Sequence, residues 1–438
     1  MTTTTTTSTT ETTTKTQTKT PGIFANRTFV LASMSSFVSM LGDQLTLIGL
    51  PWLMLSLTNS PAAVGIMFAL IGLPRALFML VGGALSDKFN PRVLLSVTRF
   101  CSVVVLSVLT FMAWTDTLQA TQLYVFAAVL GLTSALGMPA GSSILPRILP
   151  KEQLGAGNSI VMAGGQLSAL LGPVMAGALL YLFSTMNNTN VGYALVFGLD
   201  ALTFLFALIA LQFLHLGTRS DEPPAAGTSV IDYLREGWQV LRADRSLLIF
   251  IVYIGLINLF TTGPVMVGVP ILVRDTLHGS ALAYGSFLAT MNIGVLVAMI
   301  GSRMVPALSV RNFLPVILSL DFSIGLLMIL FVNVQSQYAL QAILLVVGML
   351  AGYIQVTLVT RIQKRVEQRY MGRVMSYLMF AYLGLVPLSA SFAGWLIGKA
   401  SVVFMFELMG VAICAMAVLF LANKDMRQLA AAPTAAAA

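Results

Sequence analysis

Six ionisable residues stand inside long apolar stretches of the sequence: Asp43, Arg75, Arg99, Asp200, Asp321 and Glu407. An ionisable group within a bilayer is costly, so such groups usually face a cavity or one another and mark a path for ions or substrate. These residues are therefore the first candidates for chemistry. Arg99 lies about two turns from a basic loop, so we expect its side chain to extend toward the inner membrane surface. Glu407 lies near the outer end of its stretch, where it can reach headgroups or Lys399.

Asp43 and Arg75 form the most informative pair. At 1.5 Å per helical residue, Asp43 lies roughly 22 Å into the first apolar stretch, and Arg75 lies at a comparable depth in the second, which runs the opposite way. Desolvation favours a neutral carboxyl group, whereas a nearby guanidinium favours a carboxylate. Two interpretations stay open: a pair that takes up and releases protons as the helices move, or a permanent ion pair that clamps the two helices.

Five further polar residues are candidates for contact with substrate or protons. Asp200 and Asp321 lie deep in their stretches, while Gln44, Gln166 and Asn258 are uncharged residues within others. Each could line a cavity or bond a neighbouring helix.

No metal or cofactor site is expected. The two cysteines, Cys101 and Cys414, are far apart in apolar sequence and have no ligand spacing around them. We expect both to be small buried hydrophobic residues.

The apolar stretches that carry these residues are long enough to cross a membrane. Of the 438 residues, 57% are hydrophobic and 9% are charged, and the mean hydropathy is +0.88. Because a bilayer core needs about twenty apolar residues per helix, the sequence predicts an all-α membrane protein with twelve transmembrane helices. We place them at 28–56, 61–86, 91–114, 119–145, 155–184, 191–216, 246–273, 281–305, 311–333, 337–362, 371–398 and 402–423.

Positive charge alternates from one gap between stretches to the next. Twenty of the 24 Lys and Arg residues fall in alternate gaps, and the other gaps hold only Arg274 and Lys399. Positive loops stay on the cytoplasmic side, so we expect both termini in the cytoplasm and a plasma (bacterial inner) membrane location. The net charge of +8 is spread over these loops, which favours lipid contacts and not nucleic acid.

Composition divides the chain into five segments. Residues 1–24 form a Thr-rich tail that we expect to be disordered, and 425–438 form a second cytoplasmic tail. Residues 25–216 and 246–424 each hold six spans. Between them, 217–245 form a linker whose apolar residues Ile231, Leu234, Trp238 and Leu241 recur at helical spacing, as in an interfacial amphipathic helix or an ordinary linker helix.

The two six-span segments echo one another. Gly49-Leu50-Pro51 recurs as Gly268-Val269-Pro270, Gly65 as Gly285, and Pro173 as Pro387. Such a repeat is typical of one transporter architecture, in which the substrate site lies between the halves.

The turn after the second span has a recognisable pattern, Gly83-Ala84-Leu85-Ser86-Asp87-Lys88-Phe89-Asn90-Pro91-Arg92. Gly83 permits close helix approach, and Asp87 can accept amides at a helix N-terminus. The pattern resembles the cytoplasmic signature of the major facilitator superfamily, which implies that Gly83, Asp87, Lys88 and Arg92 form a gating motif. Asn90 and Pro91 replace the family's second Gly and first Arg, which implies a more rigid turn.

The fifth span contains Gly172-Pro173-Val174-Met175-Ala176-Gly177. Pro173 removes a helical hydrogen bond and favours a bend, while Gly172 and Gly177 allow tight packing. The segment resembles the Gly-Pro signature of the superfamily's exporters, with Ala176 in place of one Gly. This resemblance implies export rather than import.

Three more segments narrow the resemblance: Leu41-Gly42-Asp43-Gln44 with Leu50-Pro51, Tyr233-Leu234-Arg235-Glu236-Gly237, and Met371-Gly372-Arg373-Val374-Met375-Ser376. Together with the two motifs, they resemble the drug:proton antiporter branch that includes macrolide and enterobactin exporters.

This resemblance implies a proton-coupled exporter of an amphipathic small molecule, such as a drug or siderophore, that works by alternating access. We expect no cofactor, partners limited to substrate, protons and membrane lipids, and a monomer.

Two other functions remain open. A lipid or lysolipid translocase could use the same scaffold, with Arg75 binding a headgroup, and a non-transporting membrane sensor is a further alternative. No Gly-x-x-x-x-Gly-Lys-Ser/Thr phosphate loop occurs in the sequence. We therefore expect neither an ATP-driven pump nor an enzyme.

Overall fold

The computed structural model describes residues 23–88, 90–214, 230–302, 304, 310–367 and 370–423, without the side chains of 78–88, 139, 151, 230–234 and 310–312. The Thr-rich tail up to residue 22, the linker between 215 and 229, and the tail from 424 lie outside this part. The predicted disorder of the Thr-rich tail, the first part of the predicted linker and the predicted second tail therefore lie outside the described residues.

Within the described residues the long elements are all helices, and no strand occurs. We number them α1 (Arg27–Thr58), α2 (Pro61–Lys88), α3 (Pro91–Trp114), α4 (Ala120–Ser142), α5 (Leu154–Thr185), α6 (Thr189–Phe213), α7 (Val230–Ala243), α8 (Arg245–Thr276), α9 (Ala281–Gly301), α10 (Val310–Asn333), α11 (Gln337–Arg365), α12 (Met371–Lys399) and α13 (Val402–Ala422).

Among the described residues, eleven helices are long and apolar enough to cross a membrane. The apolar segment Pro61–Leu77 of α2 is shorter than these. The chain is therefore an all-helical, multi-pass membrane protein, as the apolar stretches predicted.

Local chemistry sets the limits of α1. The side chain of Asn26 accepts a hydrogen bond from the Phe29 amide (3.1 Å) and caps the first turn. Asn59 ends the helix in a left-handed conformation (φ 50°), and its amide donates to the Leu55 carbonyl. We use these residues to name the two ends of the bundle: α1 begins at the Asn26 end and finishes at the Asn59 end.

The helix contacts repeat along the chain. In the first group, α1–α6, helix α1 packs on α5 and α6, α2 on α4, and α3 on α4 and α6. In the second group, α8–α13, helix α8 packs on α12 and α13, α9 on α11, and α10 on α11 and α13. Each of these five contacts of the first group thus recurs seven helices later.

Two helix pairs, α2 with α12 and α5 with α9, make most of the contact between the groups. Both depend on glycine. A Cβ at Gly65 of α2 would lie 2.7 Å from the Ala390 carbonyl oxygen of α12, and one at Gly177 of α5 would lie 2.5 Å from the Ala281 carbonyl oxygen of α9. These two glycines therefore let the backbones of the two groups approach closely toward the Asn59 end.

Candidate functional site

Asp43 lies about midway along α1. Its side chain keeps exposed surface, whereas Gly42 and Leu45 beside it are buried. An ionisable side chain at this depth of an apolar helix is costly unless it meets a partner, a cavity or a ligand, so Asp43 is a candidate for exchange of protons or contact with substrate.

Arg75 of α2 lies within electrostatic range of Asp43. Its Nε donates to Sδ of Met138 on α4 at 3.2 Å. Within the described part of the chain, no ion pair closer than 4 Å joins the two. The opposed charges that the sequence predicted at equal depth are thus neighbours, but the clamped ion pair is not formed in this conformation.

Asp200 of α6 also lies near Asp43, beside Gly42 of α1. It is 1% exposed, and the hydroxyl of Thr46 donates to its Oδ2 at 2.5 Å. The Thr203 hydroxyl lies 3.2 Å from its Oδ1 and donates to its backbone carbonyl at 2.7 Å. The two carboxylates, Asp43 and Asp200, influence each other electrostatically.

Gly42 makes room for this second carboxylate. A Cβ at residue 42 would collide with Oδ1 of Asp200 and with the Thr203 hydroxyl, so α6 can bring Asp200 against α1 only beside a glycine. Asp200 was predicted as an isolated candidate, and its pairing with Asp43 was missed. The glycine directly before Asp43 is the one sequence signal that could have indicated it.

The Gly172-Pro173 motif packs α5 on two partners. A Cβ at Gly172 would collide with the Gln44 side chain of α1, while Gly177, beyond Pro173, faces the Ala281 backbone of α9. Its two glycines therefore join the helix that carries Asp43 to the interface between the groups.

The other two uncharged polar candidates, Gln166 and Asn258, lie in different surroundings. Nε2 of Gln166 donates to Sδ of Met299 on α9 at 3.1 Å, so it bridges the two groups. Nδ2 of Asn258 donates to the Ile254 carbonyl in its own helix at 2.9 Å. Gln166 lies where the groups meet, whereas the amide nitrogen of Asn258 is satisfied locally.

Asp321 does not join the Asp43 cluster. It is 3% exposed and lies in the second group, on α10. The hydroxyl of Tyr253 on α8 donates to its Oδ2 at 2.6 Å, and the Tyr253 ring packs on Phe420 with centroids 4.9 Å apart. Asp321 and Tyr253 together therefore link three helices of the second group, α8, α10 and α13.

The predicted gating motif is described in part. Helix α2 continues through Gly83, Asp87 and Lys88, whose side chains lie outside the described set. Nη2 of Arg92 donates to the Gln212 carbonyl near the end of α6 at 2.6 Å, a favourable place for a cation. The Arg92 side chain thus hydrogen-bonds to another helix of the first group.

Arg99 follows the same pattern as Arg92. Its Nη1 donates to the Ala207 carbonyl of α6 at 2.6 Å, so its guanidinium is held by backbone within the bundle.

Arg274 connects the two groups of helices at the Asn59 end. It was not predicted as a site residue. It lies in the last turn of α8, which is a π-helical turn, Leu272–Thr276. Its guanidinium donates to the Leu55 carbonyl (2.5 Å) and to the Asn59 side chain of α1. Nearby, Trp52 of α1 stacks on Tyr284 of α9 with centroids 6.0 Å apart. The only sequence signal was that Arg274 is one of just two cations, with Lys399, in the set of gaps that is poor in positive charge.

Metal chemistry finds no support in the described residues, where no three His, Cys, Asp or Glu side chains come together. Cys101 and Cys414 are free thiols.

Comparison with known proteins adds a family and relatives. The profile of the Major Facilitator Superfamily matches residues 32–389. The staphyloferrin A transporter of Staphylococcus aureus is 24% identical over 405 residues, 90% of this chain and 96% of that protein. The multidrug efflux pump Tap of Mycobacterium tuberculosis is 25% identical over 416 residues, 92% of this chain and 95% of the pump.

A shorter match and a solved structure extend these findings. Macrolide efflux protein A of Streptococcus pyogenes is 24% identical over 233 residues, 52% of this chain and 55% of that protein. The crystal structure of the nucleoside transporter NupG superposes with a TM-score of 0.69 at 14% identity, over 90% of this chain and 98% of that one. The structural likeness concerns the fold alone.

Proposed function

Because the chain belongs to the Major Facilitator Superfamily and is a transporter rather than an enzyme, we propose that it exports an amphipathic small molecule in exchange for protons. The family membership confirms the resemblance that the motifs indicated. Relatives named for efflux of several drugs, for macrolide efflux and for transport of a siderophore support export of a drug-like or siderophore-like cargo.

We further propose the membrane arrangement that export requires. Helix α2 serves as the twelfth span beside the eleven apolar helices, so that α1–α6 and α8–α13 are two six-helix halves. The alternating loop charge assigns the Asn26 end to the cytoplasm and the Asn59 end to the outside. The halves rock about the α2–α12 and α5–α9 contacts to give alternating access.

The observation that supports proton coupling is the position of Asp43, whose exposed carboxylate lies midway along α1 within electrostatic range of both Arg75 and Asp200. A proton entering from outside neutralises Asp43, which removes its attraction to Arg75 and changes its electrostatic interaction with Asp200. The two flanking helices, α2 and α6, are then free to shift relative to α1. Release of that proton into the cytoplasm restores the starting arrangement.

Everted membrane vesicles test the proposal as a whole. Vesicles containing the protein are acidified inside, and uptake of ethidium, a macrolide and an iron-free siderophore is compared with uptake by vesicles lacking the protein. We expect uptake of at least one probe that stops when nigericin collapses the pH gradient. Uptake that persists without the gradient would remove proton coupling, and movement of fluorescent phospholipid between leaflets instead of probe uptake would favour a lipid translocase.

A further inference from the structure

The linker helix α7 presents a cationic face. Arg235, Trp238, Gln239 and Arg242 are exposed, and their spacing of three, four and seven residues places them on one side of the helix. Trp238 keeps 38% of its surface exposed, and the Arg242 guanidinium lies 5.2 Å from the centre of its ring. This face therefore combines two guanidinium groups with an indole.

Two acidic residues next to this face, Glu236 and Asp244, are engaged with protein. Glu236 forms an ion pair with Arg373 of α12. Asp244 accepts from Nε of Arg365 on α11 at 2.6 Å and caps the first turn of α8 through the Leu247 amide. Among the side chains that the structure describes on α7 and at its end, both carboxylates thus have protein partners, while Arg235 and Arg242 are exposed on the outer side.

The buried side of α7 packs on α12. A Cβ at Gly237 would lie 2.9 Å from Cε2 of Tyr377. At the edge of the cationic face, the Trp238 ring also approaches α12, with its centroid 6.3 Å from that of Tyr377. Helix α12 is also the helix that packs on α2 across the groups, so one helix contacts both the linker helix and the other group.

We propose that the Arg235–Trp238–Arg242 face of α7 binds anionic phospholipid headgroups and so ties α12 to the charge of the membrane surface. The chain spans a bilayer, so this surface lies at the end of α8, directly beside the linker. Clustered arginines at that level attract anionic lipid, and a tryptophan ring has its preferred position at the membrane–water interface. The inference requires only membrane insertion and stands independently of cargo and proton coupling.

Tryptophan fluorescence in vesicles tests this contact directly. The full chain is reconstituted into vesicles of phosphatidylcholine with 30 mol% brominated phosphatidylglycerol, or with the same amount of brominated phosphatidylcholine. The signal of Trp238 is the difference between the wild type and Trp238→Phe, since the chain has four tryptophans. We expect at least twofold stronger quenching of Trp238 by the brominated anionic lipid.

Matched variants separate the proposed face from general surface charge. The double variant Arg235→Gln/Arg242→Gln should lose the anionic preference, whereas Arg147→Gln/Lys364→Gln, with the same change in net charge at the same end, should keep it. For the wild type, 0.5 M salt should weaken the preference through screening, a measurement that does not depend on how the variants fold. Equal quenching by both lipids, no quenching by either, or insensitivity to salt would overturn the proposal.

Discussion

Arg274 in the last turn of α8 donates to the backbone carbonyl of Leu55 in the last full turn of α1, at 2.5 Å. The same carbonyl accepts the amide of Asn59, which ends α1. One oxygen therefore both completes a helix cap and joins the first group of helices to the second. This contact, together with the stacked Trp52 and Tyr284 rings, keeps the Asn59 end closed.

Replacing Arg274 should open this end. A hydrogen bond from a charged donor contributes about 1.5–3 kcal/mol, and partial exposure of Arg274 (29%) reduces this to roughly 1–2 kcal/mol. We expect Arg274→Gln to raise the population open at the Asn59 end about tenfold. Double electron–electron resonance between spin labels at Leu57→Cys and Thr276→Cys, with Cys101 and Cys414 replaced by alanine, measures that population.

Lys399→Gln provides the control, because Lys399 is an exposed cation at the same end, in the last turn of α12. Its distance distribution should match that of the parent. If Arg274→Gln also leaves the distribution unchanged, Arg274 does not hold the two groups together.

Gly177 should not tolerate a single added methyl group. In Gly177→Ala the new Cβ meets the Ala281 carbonyl oxygen at 2.5 Å and the Leu282 Cα at 3.0 Å, and backbone atoms of α9 cannot move aside cheaply. Overpacking of this kind costs about 1–3 kcal/mol, so the melting temperature in detergent should fall.

Gly155→Ala is the matched substitution in the same helix, where a Cβ has nothing within 4 Å. Because Gly155 lies in the first turn of the helix and the added methyl group meets no neighbour, this variant should leave the melting temperature unchanged or slightly higher. Equal melting temperatures for the two variants would mean that α5 and α9 are not in backbone contact at Gly177.

Thr46 should be needed to keep Asp200 in place. Thr46→Val preserves the shape of the side chain but removes the donor to Asp200 Oδ2, leaving a buried oxygen without that bond at a cost of about 1–3 kcal/mol. We expect a lower melting temperature and slower proton-driven transport. Thr110→Val is the control, since the Thr110 hydroxyl donates only to the Leu106 carbonyl of its own helix; an equal loss in both variants would contradict a special role for Thr46.

The sequence was sufficient for the elements and for the depth of their charges. Apolar length predicts helices. A rise of 1.5 Å per residue places Asp43 and Arg75 at one level, because each lies about halfway along its own helix and the two helices run in opposite directions. The glycines that recur between the two groups were visible as an echo, although their partners in space were not.

Long-range neighbours could not be predicted in this way. Asp200 lies 154 residues from Thr46, and only the packing of α6 on α1 brings them together. Arg274 depends on a π-helical turn, which widens the helix locally and leaves no mark in a pattern of period 3.6. Arg75 points toward Met138 because of how α2 packs on α4, which hydropathy does not record.

The central claim is that protonation of Asp43 drives export, and proton flux through Asp43→Asn vesicles tests it most directly. Probe-induced alkalinisation of acid-loaded everted vesicles should be abolished in Asp43→Asn, while Glu407→Gln, which removes another carboxylate within the helices, should retain the wild-type rate. Wild-type proton flux and probe uptake in a well-inserted Asp43→Asn protein would contradict the account.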